Sequence, residues 1–389
     1  MPAPLDFRLD RVDYVALHKI SAGTYRTVVG GTRRPPKMNA SLPAVLEFPF
    51  TGPPPPGTAT AVAPGILWLR MPLPFALDHI NLWLVEEHGG WTLVDCGYGD
   101  APTRALWEQH FAATLGGRPL TRIVATHYHP DHAGNAAWLA GRFGCAVAMT
   151  SAEYLTAHAI AGQTSGYALA DTVALFARHG MHADHLAALD GRGNAYRRGV
   201  PELPFAFERM LDRDALTLGG LSWRVIEGHG HSPEHASLHC TERALLVSGD
   251  MLLPRITTNV SVWPAEPDAD PLGRFLDSLA AFEALPADTL VLPSHGLPFR
   301  GIATRVGQLR DHHATRLDEL VAAVGTLAAA SGAPVSAADV VPVLFRRELD
   351  LQQRFFAMGE AIAHLNHLWR TRRLDRRADA DGALRFAPV

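Results

Sequence analysis

The chain has 389 residues, 47% of them hydrophobic, and a formal net charge of −4 with histidines neutral. That length and apolar content allow two domains with a sizeable core, and the charge excludes a whole-chain polycation of the kind that coats nucleic acid or an anionic membrane. Three widely spaced cysteines, Cys96, Cys145 and Cys240, form no C-x-x-C pair and so speak against a disulfide framework or zinc ribbon, and no run of eighteen apolar residues reads as a membrane span.

The N-terminal sequence lacks a basic-then-apolar signal pattern, which makes a reducing cytoplasm and reduced thiols the expectation. Of the 35 basic residues only Lys19 and Lys37 are lysine, and both precede residue 38. Residues 1–40 also carry Gly-Gly and Pro-Pro breakers without clear periodicity, and "TGPPPPGT" follows as a stiff spacer. Residues 1–60 are therefore expected to be a loosely ordered extension, and translation starting at Met38 is one reading of the composition shift.

From Ala61 the texture becomes globular. "GILWLRMP", "INLWLVEE" and "WTLVDCG" are short β-rich runs separated by turn signals. "RALWEQHFAATL" has helical spacing, "TRIVATH" reads as a buried strand, and "AGNAAWLAGRFG" as a helix closed by glycine. Alternating strands and helices predict an α/β layer fold. Residues 151–214 read as mostly helical and interrupt the strand series; "LSWRVIEGH", "RALLVSGD" and "TLVLPSHG" then each run into a polar loop. After Gly301 the pattern is helical again, with Ser336 a predicted N-cap, and the Asp-Gly pair of "DADGALRF" predicts a hairpin. The expected division is 1–60, an α/β domain over 61–301, and a helical, winged-helix-like domain over 302–389.

The densest chemistry lies in "THYHPDHAGN", residues 126–135. His127 and His129 are two apart at a strand end and project to one side, and Pro130 then turns the chain to present Asp131 and His132. A polar loop with a capping aspartate would explain a lone His-x-His. It does not explain four potential ligands within six residues.

With this motif the sequence resembles the metallo-β-lactamase superfamily over roughly residues 61–301. The resemblance implies an αββα sandwich with a metal centre at the sheet edges. It further implies His127, His129 and His231 on one metal, Asp131, His132 and His295 on the other, and Asp250 of "SGD" touching both. Two divalent ions are implied, with zinc expected and iron or manganese as alternatives. A bridging hydroxide would be the nucleophile, oriented by Asp131 acting as the catalytic proton carrier. Asp95 of "LVDCGYGD" would support the metal loop from behind, or simply cap a turn.

Of the four histidines in "EGHGHSPEHASLH", the resemblance makes His231 the ligand and gives His235 a supporting role; His229 is expected to be loop-specific and His239 structural. His79 in "MPLPFALDHIN" is either a substrate contact or a strand-edge histidine.

Lactamases proper replace one of these ligands, commonly with cysteine. The complete His/Asp set is instead similar to glyoxalase II-type thioesterases, lactonases and processing nucleases. The C-terminal part resembles the subgroup of the β-lactamase-like protein 2, whose mammalian branch cleaves single-stranded RNA. The expected substrate is a small acyl thioester or related ester, with RNA cleavage or lactone hydrolysis as alternatives. A metal-bearing or nucleic-acid-binding protein without turnover is a third reading. Arg370, Arg372, Arg373, Arg376 and Arg377 either contact phosphates or form a solvated helix end. No membrane partner is expected, and homo-oligomer formation stays open.

Overall fold

The computed structural model describes residues 45–389; the expectations for residues 1–44, including a start at Met38, lie outside the described residues. The first sheet runs β1 (Thr60–Ala63), β2 (Ile66–Pro72), β3 (His79–Glu87), β4 (Gly90–Val94), β5 (Leu120–Val124), β6 (Ala146–Thr150) and β7 (Glu208–Met210), in that spatial order. Its first half is antiparallel, and β4 to β7 are parallel. The second sheet joins β8 (Ala215–Leu218), β9 (Leu221–Gly228), β10 (His235–Cys240), β11 (Leu245–Gly249) and β12 (Leu290–Pro293) in the order β12-β11-β10-β9-β8.

The run "INLWLV" shows why both sheet faces are covered. Along β3, Ile80, Leu82 and Leu84 point to one side and Trp83 and Val85 to the other, and all five are buried. A strand apolar on both faces needs a layer on each side. Trp83 and Val85, with Trp68 and Val124, meet Trp223, Val225, Leu238 and Val247 of the second sheet in the central layer. Trp68 and Trp83 are register partners, stacked with ring centroids 6.0 Å apart. On the outer face Leu82 and Leu84 pack with Trp107 of α1 (Ala101–Ala112) and Leu139 of α3 (Ala136–Phe143); the short α2 (Pro130–Ala133) lies between those helices in sequence.

Helices α4 (Ser151–Ala161), α5 (Leu169–Arg178), α6 (Ala183–Asp190) and α7 (Tyr196–Gly199) form the expected insertion. It ends earlier than the sequence suggests, because Glu208–Met210 returns to pair with β6 as a three-residue edge strand, too short to show a period of two. The far face of the second sheet packs on α8 (Pro271–Glu283) and on the C-terminal helices α9 (Ile302–Ser331), α10 (Ala337–Leu344) and α11 (Leu351–Arg370), in one continuous apolar cluster. Ser336 caps α10 in a capping box with Asp339, and β13 (Leu374–Ala378) pairs with β14 (Leu384–Pro388) as the Asp-Gly hairpin. The result is an αββα sandwich of two mixed sheets with a C-terminal helical domain that ends in a two-stranded ribbon.

The proline spacer is anchored at its leading edge and closes on its own turn, where the Thr58 amide and hydroxyl donate to the Pro55 carbonyl at 3.0 and 2.8 Å. Phe48 tilts against Phe299, Phe50 meets Trp68 edge-on at 5.9 Å, and Glu47 bridges Arg300. Among the described residues, no helix is long and apolar enough to cross a membrane. The three cysteines are free thiols.

Candidate metal centre

Loops following the C-terminal ends of β4, β5, β9, β11 and β12 deliver Asp95, His127 to His132, His231, Asp250 and His295 to one end of the sandwich. Two groups result, each with ligand atoms within 4.8 Å of one another: His127, His129, His231 and Asp250, and Asp131, His132 and His295. His127 Nε2 lies 2.8 Å from His129 Nδ1 and 3.2 Å from His231 Nε2. Asp250 divides its oxygens: Oδ2 is 3.3 Å from His231 Nε2, while Oδ1 is 3.3 Å from His295 Nε2 and 3.6 Å from His132 Nε2. Asp131 Oδ2 stands 3.5 Å from both His132 Nε2 and His295 Nε2.

These residues fit cations. His132 Nε2 and Asp250 Oδ1 are buried atoms that satisfy no hydrogen bond, a costly arrangement unless something else occupies their lone pairs. The opposite ring nitrogens are committed. His132 Nδ1 is 2.8 Å from Asp95 Oδ2, His231 Nδ1 is 2.7 Å from the Asn259 carbonyl, and His295 Nδ1 is 2.8 Å from the His79 carbonyl. Each such bond fixes the tautomer so that Nε2 carries its lone pair toward the centre, the usual outer support of a metal-bound histidine.

The electrostatics divide the groups. Burial, reinforced by His132, pushes His127 well below the usual imidazole range, and burial with His231 pushes His129 down to about 3. Burial also disfavours charge on His132 and His295, but the carboxylates outweigh it. Asp131, Asp95 and Asp250 hold His132 well above its ordinary value, and Asp250 with Asp131 raises His295. Burial opposes ionisation of Asp131 as well, yet His132 and His295 bring it down to about 2.

Asp95 sits behind the metal loop, where its carboxylate accepts from the Thr126 amide at 2.8 Å and from the Thr126 hydroxyl at 3.0 Å. It holds a left-handed backbone with φ of 61°, tolerated by aspartate better than by most residues. His235 Nε2 accepts from the Asp250 amide at 3.1 Å, and its ring lies 4.8 Å from that of His127. The His79 ring accepts from the Gly296 amide at 2.9 Å and pairs with Asp78, so it closes the His295 turn. His229 turns to the Pro233 carbonyl at 2.7 Å, and His239 is buried on β10; neither belongs to a group.

Sequence reasoning missed Glu153. This fully buried carboxylate on α4 accepts from the Tyr128 amide at 3.0 Å, the Ser232 hydroxyl at 2.6 Å and the Glu234 amide at 2.7 Å. It thereby ties the 127–132 loop to the 229–234 loop. It also missed Asn259, whose side chain bonds Glu360 of α11 at 3.3 Å while its carbonyl holds His231. Both contacts span long sequence separations, and a buried glutamate in a helix's first turn has no local signature.

A two-sheet sandwich with paired His/Asp groups at one end defines a metal-dependent hydrolase. The family model "Metallo-beta-lactamase superfamily" matches residues 76–295, and "Metallo-beta-lactamase-like, C-terminal domain" matches residues 324–389. The chain belongs to the metallo-β-lactamase superfamily. It is similar to a beta-lactamase domain protein from Burkholderia ambifaria at 47% identity and a TM-score of 0.81, over 88% of this chain and 98% of that one. A metallo-beta-lactamase family protein from Thermus thermophilus matches at 27% identity and a TM-score of 0.70, over 85% of this chain and 100% of that one. The Bacillus subtilis (strain 168) protein named "Probable metallo-hydrolase YqjP" is 25% identical over 311 residues, 78% of this chain and 92% of that protein.

Proposed function

We propose a dinuclear hydrolase that cleaves an acyl thioester or related ester. The division of Asp250 between the two groups carries this reading, because one carboxylate facing three histidines from two sides suits a bridge between cations. In it, His127, His129 and His231 would hold one ion, Asp131, His132 and His295 would hold the other, and Asp250 would be shared between them. Nitrogen and carboxylate donors suit zinc, and iron or manganese also. When bound, such ions supply water activated near neutral pH and a Lewis acid for the carbonyl.

The chain's own residues do the rest. Asp131, with its side chain 18% exposed against 11% for Asp250, is the carboxylate open enough to orient the attacking water and carry its proton to the leaving group. Asp95, Asn259 and the His79 carbonyl keep the imidazoles aimed. Half-exposed Phe75, edge-on to Tyr98 at 5.4 Å, and Trp263 beside Tyr128 at 6.4 Å give apolar surface suited to an acyl group.

The RNA reading draws on the C-terminal arginines. Arg373 pairs with Asp318 at 2.6 Å, Arg376 with Asp268 at 2.8 Å over the Trp369 ring, and Arg370 donates to the Asp268 carbonyl. Charge committed in this way has little to offer a phosphate backbone, so the ester stands first. The test is a screen of metal-loaded protein with acyl thioesters, lactones and single-stranded RNA. Thioester turnover that disappears in Asp250→Ala supports the proposal; RNA cleavage with steep salt dependence and inert thioesters would replace it.

A further inference from the structure

The insertion brings Arg192 and Arg198, two arginines without ion pairs among the described residues, to the rim of the metal centre. Gly199, at the end of α7, packs so tightly that a Cβ there would lie 2.2 Å from the Tyr98 ring and 2.6 Å from Pro130, the first residue of α2. Its carbonyl accepts from the Gly99 amide at 2.8 Å. These contacts lock α7 onto the element that carries Asp131 and His132, and Arg198 immediately precedes Gly199. Arg198 Nη1 donates to the Arg192 carbonyl at 3.0 Å, and the Arg192 guanidinium lies 5.6 Å from the Phe355 ring centroid. Among the described residues neither guanidinium forms an ion pair, in contrast to Arg373 and Arg376.

We propose, resting on the ester-hydrolase reading above, that Arg192 and Arg198 form an anion subsite at the mouth of the metal centre, and that the ester cleaved there carries a negatively charged group such as phosphate or carboxylate. Burial and Arg198 act against the charge on Arg192, and Asp350 offsets this without forming an ion pair. An anion bridging the two guanidinium groups would therefore relieve their repulsion, and planar guanidinium groups bind such anions in two-pronged fashion. Tyr98 places the pair beside the chemistry. Burial raises its phenol, Arg198 opposes that rise, and Asp131 and Arg192 act on the same ring. Phe355 leans on Trp263 at 6.2 Å, and Trp263 on Tyr128, so an aromatic wall runs from the arginines to the ligand loop.

The experiment compares three thioesters on metal-loaded wild type, Arg192→Gln and Arg198→Gln: one with a phosphorylated leaving group, one with a carboxylate on the acyl side, and one neutral. The subsite predicts that KM for a charged ester rises roughly 10- to 100-fold in either variant, with kcat and metal content unchanged and the neutral ester unaffected. Which charged ester responds tells whether the anion lies on the leaving group or the acyl side. Equal KM changes for charged and neutral esters, or no change in any, overturn the subsite while leaving the hydrolase reading intact. If no thioester turns over, the hydrolase reading fails, and pyrophosphate titrated calorimetrically into metal-loaded wild type and the Arg192→Gln/Arg198→Gln protein decides the subsite. Weaker binding in the double variant supports it, and equal binding overturns it.

Discussion

His229 and His231 are the same residue type two positions apart, yet one nitrogen turns to a loop carbonyl and the other faces His127. His231→Ala is therefore expected to lose an ion while His229→Ala keeps both, as read by mass spectrometry of metal content. Asp95→Asn retains an acceptor for the Thr126 amide but weakens the hold on His132, and should cost about 10- to 100-fold in metal affinity. Acidity should act unevenly. His127 and His129 are held neutral across the neutral range, whereas raised His132 and His295 must each lose a proton before binding a cation. Falling pH should then empty the Asp131, His132 and His295 group first, and metal uptake there should release protons; uniform loss from both groups would contradict this. The residues of the two groups were legible because the clustered Thr126–Asn135 motif and a family pattern pointed to them. The glutamate and asparagine that aim them were not, since their partners lie far away along the chain.

At the scale of elements, α4 is the piece whose role the sequence concealed. Its helical pattern is clear, but Glu153 acts through three donors from two other loops. Glu153→Ala leaves those donors buried without an acceptor and is expected to destabilise by on the order of 3 kcal/mol, measured by denaturant unfolding, and to loosen metal binding with it. Strands with long apolar runs, and the capping box at Ser336, could be read directly because local propensity and tertiary position agree there. Strand β7 could not: three residues joining a sheet edge across the whole insertion are specified by their neighbours in space.

Across the whole molecule, the C-terminal helices belong to the same apolar cluster as the second sheet, and through Glu360 and Asn259 they reach His231. Burial raises the Glu360 carboxyl from 4.5 to about 7, opposed by Asn259 and Arg316. A raised carboxyl binds its proton more tightly in the folded state, so stability should fall as pH rises from about 4.5 to 7. Glu360→Gln should flatten that dependence in thermal unfolding across the window. The helical texture after Gly301, where α9 begins, was visible in the chain; the bond network linking the C-terminal helices to His231 was not. Two ions sharing Asp250 would be the engine of hydrolysis, and stepwise chelation with metal content and thioester turnover measured together checks this. Two ions per chain, with activity lost as they leave and restored on reloading, is the expected result; full turnover by metal-free protein would contradict it.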